Sequence, residues 1–316
     1  LIFFLCMIDI KFIFKFAYPI FFLNILVLAL IPFIGTETFG ATRWIKIGGI
    51  SLQPSEFVKY TLILALAKYY HSIQDANINS LSKLLIPVVF VIVPTIIVFI
   101  QPDLGTALVI ALGSLSIFWA AGLSYRYFIS GGLIGLLSIP IAWQFLRGYQ
   151  KERVFTFFNP ERDPLGNGYH ILQSKIALGS GGFFGKGYLD GTQSHLNFLP
   201  EMHNDFIFTM FGEEFGFLGS IFLIIVYFSI ILISFRMSIA SKSLFSRYLS
   251  IGVTFVFSLY VLINISMVMG LIPVVGVPLP FLSYGGSSTL AIMGGFGLLM
   301  NCYIHQRTNL EKGDFF

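Results

Sequence analysis

The run LLIPVVFVIVPTIIVFI, residues 84–100, contains no charged residue and shows most plainly how the chain folds. A helix that spans the hydrocarbon core of a bilayer needs roughly 20 mainly apolar residues, whereas a strand of a membrane barrel has about ten residues of alternating pattern. Backbone groups in lipid must pair within the protein, and a helix pairs them within its own segment. We therefore expect this run to be a membrane-spanning helix.

Similar apolar runs recur along the chain and predict the whole architecture. With 84–100 they make eight full spans, the others being 17–35, 55–70, 104–122, 127–146, 206–235, 248–272 and 287–304. Residues 1–8 are apolar but too few to span, so we expect them to be the tail of a span whose beginning precedes this sequence. The predicted fold class is an all-α, polytopic membrane helix bundle that forms one integral membrane domain over residues 1–316.

Composition excludes several classes of protein. Hydrophobic residues make up 56% of the chain and charged residues 11%, against about 25% charged residues in an average soluble domain. A soluble enzyme, a nucleic-acid-binding domain and a disordered chain are excluded on that ground. Cys6 and Cys302 lie in apolar runs and read as buried small side chains, and the His and Cys spacing predicts no metal site.

The distribution of basic residues predicts the orientation. Ten Lys and Arg residues lie in the links on one side of the predicted membrane, whereas the short links on the other side hold only Arg43 and Lys46. The positive-inside rule makes the first side cytoplasmic and accounts for the net charge of +4. Segments 36–54, 101–103, 147–205 and 273–286 then face outward, and they carry the unusual sequence motifs.

Two outward motifs place charges next to apolar runs. In ATRWIKIGGISLQPSEFVK, residues 41–59, Glu56 and Lys59 are three residues apart and share one helix face. They predict either a structural ion pair between helices or a polar cavity for a substrate, because charges inside a span usually face a partner or a cavity. In QPDLGT, residues 101–106, Asp103 predicts a helix N-cap that could also line such a cavity.

The long outer loop, residues 147–205, is the predicted place of an active site, since a structureless loop of this length is uncommon without a function. YHILQSKIAL, residues 169–178, has the spacing of an amphipathic helix lying on the membrane. The glycines around 179–187 permit close backbone approach to a ligand, with Lys175 and Lys186 beside them. The spacing does not match a Walker phosphate loop.

Asp205 immediately precedes an apolar run, with Glu201 and His203 close to it in sequence. It predicts either a helix N-cap or a general base at the mouth of a span. PVVGVPLPFLSYGGSST, residues 273–289, contains three prolines and cannot be regular helix throughout. Such broken backbone predicts either a rigid packed turn or a segment beside a polar cavity.

Together these motifs resemble the SEDS family (shape, elongation, division and sporulation), and within it the RodA branch more than the FtsW branch. The resemblance runs from about residue 1 to residue 307 and rests most specifically on GTQSHLNFLPEMHNDFIF and PVVGVPLPFLSYGGSS. It implies a fold of ten membrane helices, of which about eight and a half are present here, with a large extracytoplasmic loop. It also implies a multi-pass protein of the bacterial inner membrane with its active site on the extracytoplasmic face.

The activity that this resemblance implies is peptidoglycan glycosyltransfer, the polymerisation of lipid II into glycan strands for cell elongation and rod shape. The implied partner is a class B penicillin-binding protein, a transpeptidase, and membrane lipids surround both. The resemblance implies no certain cofactor and leaves a divalent cation open. Two alternatives remain: a lipid II flippase, and a non-catalytic scaffold of the elongation machinery.

The site residues follow from matching motifs. The family's essential loop aspartate matches Asp205, its intramembrane acid–base pair matches Glu56 and Lys59, and the acid of QPDLG matches Asp103. We expect Asp205 to take the proton from the GlcNAc 4-hydroxyl as it attacks MurNAc C1, which would invert that carbon. The candidate substrate-binding residues are Arg43, Glu56, Lys59, Asp103, Lys175, Lys186, Glu201, His203 and Ser283.

Overall fold

Helices lie at all eight positions where the sequence predicts spans, which confirms the predicted fold class. The computed structural model describes residues 1–38, 41–73, 78–163, 166–191 and 204–310. In chain order, the α-helices within that part of the chain are α1 (Ile2–Met7), α2 (Ile10–Ile34), α3 (Pro54–Ser72), α4 (Leu81–Ile100), α5 (Leu104–Ala120), α6 (Tyr125–Phe145), α7 (Gly148–Phe158), α8 (Asn167–Ser180), α9 (Ile207–Ala240), α10 (Leu244–Val268) and α11 (Gly286–Ile304).

Six of these helices are long and apolar enough to cross a membrane, judged by length and composition: α2, α4, α6, α9, α10 and α11. Helix α5 is equally apolar but has only 17 residues. Helix α3 has 19 residues but carries Glu56, Lys59 and Lys68. The chain is therefore a multi-pass membrane protein in which two of the eight predicted helices are atypical.

The chain divides into two compact units. The first contains Leu1–Ile134, Ile231–Phe257 and Gly286–Phe316, and the second contains Gly135–Ile230 and Ser258–Gly285. In the first unit, α3 lies at the centre, with α2, α4, α5 and α11 against it. Most of α3 is buried, including its charged residues Glu56, Lys59 and Lys68. Its neighbours are protein rather than lipid, so it can carry side chains that a lipid-facing helix cannot.

A small antiparallel sheet precedes α3, in a segment that the sequence pattern predicts only as a link. Strands β1 (Thr36–Thr38), β2 (Ala41–Ile47) and β3 (Ile50–Leu52) pair in the order β1-β2-β3. Gly48 and Gly49 connect β2 to β3 with φ of 56° and 87°. A two-residue hairpin turn of type I′ requires positive φ at both positions, which glycine adopts without steric cost.

The second unit contains most of the long loop. The helix predicted at residues 169–178 is present as part of α8, whereas α7 was not predicted. Residues 269–285 connect α10 to α11 without regular secondary structure, which confirms that the proline-rich motif is not continuous helix. Three carbonyl groups in this connection accept hydrogen bonds from side chains elsewhere in the unit. Arg153 donates to Val274, Asn264 to Val277 and Tyr227 to Pro280.

Candidate active site

Arg43 and Asp103 lie together in the first unit and stabilise the turn between α4 and α5. The Arg43 guanidinium donates to the carbonyl oxygens of Gln101, at 2.8 Å, and Pro102, and its Nη1 lies 3.9 Å from Asp103 Oδ2. The Asp103 carboxylate accepts from the Thr106 amide at 3.1 Å and from its hydroxyl at 3.0 Å. Asp103 is therefore the N-cap of α5, which was one of its two predicted roles. The other, lining a cavity for a substrate, stays a prediction.

Glu56 and Lys59 form a buried ion pair in the first turn of α3. Lys59 Nζ lies 2.9 Å from Glu56 Oε2, and the two side chains are 0% and 7% exposed. The two side chains belong to the same helix, so the pair is structural but does not join two helices, as the first predicted alternative required. A role for Lys59 in contacting pyrophosphate stays a prediction, and the burial of its ammonium weighs against that role.

Asp205 lies in the second unit, in the turn that leads into α9. Its side chain is partly exposed. A Cβ atom on Gly276, in the irregular connection, would lie 3.3 Å from Asp205 Oδ2. A cavity of about 480 Å³ opens nearby, lined by Ile207, Leu282, Ser283 and Tyr284. The structure thus brings the Asp205 carboxylate, a mainly apolar cavity and the broken segment into one place.

Ser283 lines that cavity and also connects two stretches of backbone. Its hydroxyl donates to the carbonyl oxygen of Asn204 at 2.6 Å and accepts from the amide of Leu279 at 2.7 Å. Ser283 is only 7% exposed. Its predicted role in substrate binding stays a prediction, while its contacts hold the residue before Asp205 against the irregular connection.

The glycine-rich loop packs against a break in α9. Gly216 interrupts that helix with φ 65° and ψ −161°. The amides of Lys186 and Gly187 donate to the carbonyls of Glu213 and Glu214, each at 3.1 Å. A Cβ atom on Gly185 would collide with the carbonyl of Glu214. Gly185 therefore permits a close approach to the backbone of the broken helix, whereas the approach of a ligand to this loop stays a prediction.

The four candidate cations differ in how they are neutralised. Lys186 Nζ lies 2.6 Å from Glu213 Oε1, whose side chain is 1% exposed. Arg43 and Lys59 likewise each lie beside a carboxylate. Lys175 is exposed and makes no ion pair with any residue that the structure describes. Of the four, Lys175 is the cation best placed to receive an anionic ligand.

Helix α8, which carries Lys175, is fixed to the elements around it. The Ser174 hydroxyl lies 2.7 Å from the Thr209 hydroxyl and donates to the carbonyl of Val268 at 2.9 Å. Lys175 itself lies over Gly270, where a Cβ atom would collide with the lysine stem. Since Thr209 is four residues after Asp205, these contacts tie Lys175 to the start of α9.

Sequence reasoning missed Asn264, which is fully buried near the end of α10. Its side-chain nitrogen donates to the carbonyl oxygens of Asp205, at 2.9 Å, and Val277, at 2.7 Å. An amide in an otherwise apolar span was the available signal, because polar side chains in such spans usually bond to another part of the protein.

The predicted residues Glu201 and His203 lie outside the described residues. Within the described residues, no group of three His, Cys, Asp or Glu could hold a metal ion.

Fold and site together define a polytopic α-helical membrane protein with a carboxylate at the start of a spanning helix. The family model described as "Cell cycle protein", which covers FtsW, RodA and SpoVE, matches residues 1–308. The chain belongs to this family, which confirms the resemblance drawn from the sequence motifs.

Two relatives show how closely the chain matches named proteins. It is 41% identical over 284 residues to the peptidoglycan glycosyltransferase MrdB of Escherichia coli (strain K12), covering 90% of this chain and 76% of that protein. It is 37% identical over 284 residues to the stage V sporulation protein E of Bacillus subtilis (strain 168), covering 90% of this chain and 77% of that protein.

Solved structures share the fold. One, described as "Structural coordination of polymerization and crosslinking by a peptidoglycan synthase complex", matches with a TM-score of 0.82 at 30% identity, over 96% of this chain and 84% of that chain. The rod shape determining protein RodA of Thermus thermophilus matches with a TM-score of 0.72 at 26% identity, over 97% and 84% of the two chains.

The buried pair in α3 gives a test of the site's framework. Lys59→Met leaves the Glu56 carboxylate buried without the ammonium beside it, and breaking such a pair typically costs about 3–5 kcal/mol. Glu56→Gln combined with Lys59→Met removes both charges. We expect the double variant to unfold at a higher temperature than Lys59→Met, as measured by thermal unfolding in one detergent. A double variant that is no more stable than the single variant would contradict the ion-pair interpretation.

Proposed function

We propose that this chain is a peptidoglycan glycosyltransferase that polymerises lipid II into glycan strands for cell elongation and rod shape. The observation that carries the proposal is the position of Asp205, whose turn leads into α9 beside a cavity of about 480 Å³. The names of the relatives support the same reaction class, since MrdB is a peptidoglycan glycosyltransferase.

The chemistry of this reaction requires one base and some positive charge. The acceptor is a sugar hydroxyl, which is a poor nucleophile until a base takes its proton. In the proposed step, the GlcNAc 4-oxygen forms a bond to MurNAc C1 while its proton passes to Asp205. The bond from C1 to the pyrophosphate oxygen breaks, and its electron pair leaves with the lipid pyrophosphate. A direct displacement of this kind inverts C1.

Lys175 is the proposed contact for the departing pyrophosphate. It is exposed, and the helix that carries it is bonded to the first turn of α9 through Ser174 and Thr209. Arg43, Lys59 and Lys186 lie beside carboxylates of the protein, so they are weaker candidates. A divalent cation that assists this group stays a hypothesis.

The surroundings of the enzyme are also proposals. We place the chain in the bacterial inner membrane with Asp205 on the extracytoplasmic face, as the distribution of basic residues between its links favours. A class B penicillin-binding protein is the proposed partner. Support comes from the fold shared with a chain of a peptidoglycan synthase complex that coordinates polymerisation with crosslinking.

Asp205→Asn tests the proposed base. The amide has nearly the shape of the carboxylate but cannot accept the proton, and general base catalysis is typically worth about 10²–10⁴-fold. We expect polymerisation of lipid II by the purified variant to fall by that factor, as measured from glycan strands on a gel. Asp190→Asn, which changes another carboxylate of the long loop, is the matched control and should polymerise normally. Full polymer yield from Asp205→Asn would rule out Asp205 as the base.

Lys175→Gln tests the proposed pyrophosphate contact. A hydrogen bond to a charged group is worth about 1.5–3 kcal/mol, so kcat/KM for lipid II should fall about tenfold or more. Lys175→Arg keeps the charge and should retain more activity, and Lys151→Gln in α7 should have little effect. Equal activity in the Lys175→Gln and Lys175→Arg variants would show that the charge at this position is not used.

A further inference from the structure

Asn264 joins two segments that are far apart in sequence. A side-chain amide has two N–H donors. In Asn264 one of them meets the carbonyl oxygen of Asp205 and the other that of Val277. Both partners are carbonyl oxygens and can only accept hydrogen bonds. The side-chain group that faces them must therefore be the NH₂ and not the oxygen of the amide. Asn264 therefore sets the distance between the turn that contains Asp205 and the irregular connection 269–285.

Ser283 supplies a second bridge between the same two segments. Its hydroxyl bonds to the carbonyl of Asn204 and to the amide of Leu279. The carbonyls of two successive residues, Asn204 and Asp205, are thus both held by side chains that also bind residues 277–279. Two bridges on adjacent residues restrict rotation of this turn as well as its position.

The Asp205 carboxylate lies beside the irregular connection that these bridges hold. Its Oδ2 lies over Gly276, the residue before Val277, which has φ of 70°. Leu282, Ser283 and Tyr284 of the same connection line the cavity. The two bridges consequently fix the backbone that carries the carboxylate relative to the cavity wall.

We propose that Asn264 is a positioning residue for the glycosyltransfer step, and this inference rests on the proposed function. Its side-chain nitrogen donates to the backbone carbonyls of Asp205 and Val277, so it acts through Asp205 rather than on the substrate. Without the amide, the turn can rotate and the base no longer meets the acceptor hydroxyl in line with MurNAc C1. A misplacement of about 1 Å at a reacting group can reduce the rate about 100-fold.

A positioning role and a purely structural role predict different kinetics, and the chain offers a matched control. Asn301 in α11 is also fully buried, and its side-chain nitrogen also donates to two backbone carbonyls, those of Leu5 and Ile8. It lies in the first unit, whereas Asp205 lies in the second. Asn301→Ala therefore removes two hydrogen bonds of the same kind, neither of which involves the turn that contains Asp205.

The experiment compares Asn264→Ala with Asn301→Ala in polymerisation of lipid II by the purified chain. Thermal unfolding in the same detergent reports the loss of stability, which should be similar in the two variants. For Asn264→Ala we expect kcat to fall about 10- to 100-fold with KM within about twofold of the original value. For Asn301→Ala we expect kcat per folded molecule to be nearly unchanged. An equal loss of kcat in both variants, or a loss confined to KM in Asn264→Ala, would overturn the proposal.

Two further variants keep the outcome interpretable. If Asn264→Ala does not fold, Ser283→Ala removes the second bridge, and we expect it also to lower kcat more than it raises KM. An unchanged kcat in Ser283→Ala would then overturn the proposal. Asp205→Asn is measured in the same assay. If this variant polymerises normally, the proposed base is wrong. If Asp205→Asn is inactive and Asn264→Ala is fully active, only the positioning role is refuted.

Discussion

Backbone groups that leave the helical pattern between membrane spans must find hydrogen-bond partners within the protein, because lipid offers none. The irregular connection 269–285 meets this constraint with donors from Arg153, Asn264 and Tyr227. One of these donors, Asn264, also binds the carbonyl of Asp205. Asn264 thus has two roles. It satisfies part of the broken backbone, and it holds the turn that carries the carboxylate beside the cavity.

The same constraint limits which charges are available for chemistry. Charged side chains within or next to spans are costly unless they are paired, and the structure pairs Lys59 with Glu56 and Lys186 with Glu213. Only some of the charged residues in such motifs are therefore available to bind a substrate. Among the described candidate residues, Asp205 is the carboxylate that is partly exposed, and Lys175 is the exposed cation.

The spans could be predicted from sequence because bilayer thickness dictates the length of each apolar run. The cap formed by Asp103 was also predictable, since it depends on residues 103–106 alone. The β-sheet and α7 were missed because they are short and their sequences lack a long apolar period. The pairing of Lys186 with Glu213 and the bridge made by Asn264 depend on contacts between distant segments. Neighbouring residues do not encode such contacts.

We propose that this protein polymerises lipid II rather than moving it across the membrane. The most direct test is polymer formation in detergent micelles. A micelle does not separate two compartments, so a transporter has no activity that could be observed in it. The measurement uses the purified chain, lipid II and a class B penicillin-binding protein whose own active site is blocked. Glycan strands that lengthen with time are the predicted result. Absence of polymer in micelles, together with movement of lipid II across the bilayer of vesicles that contain the same preparation, would contradict the claim.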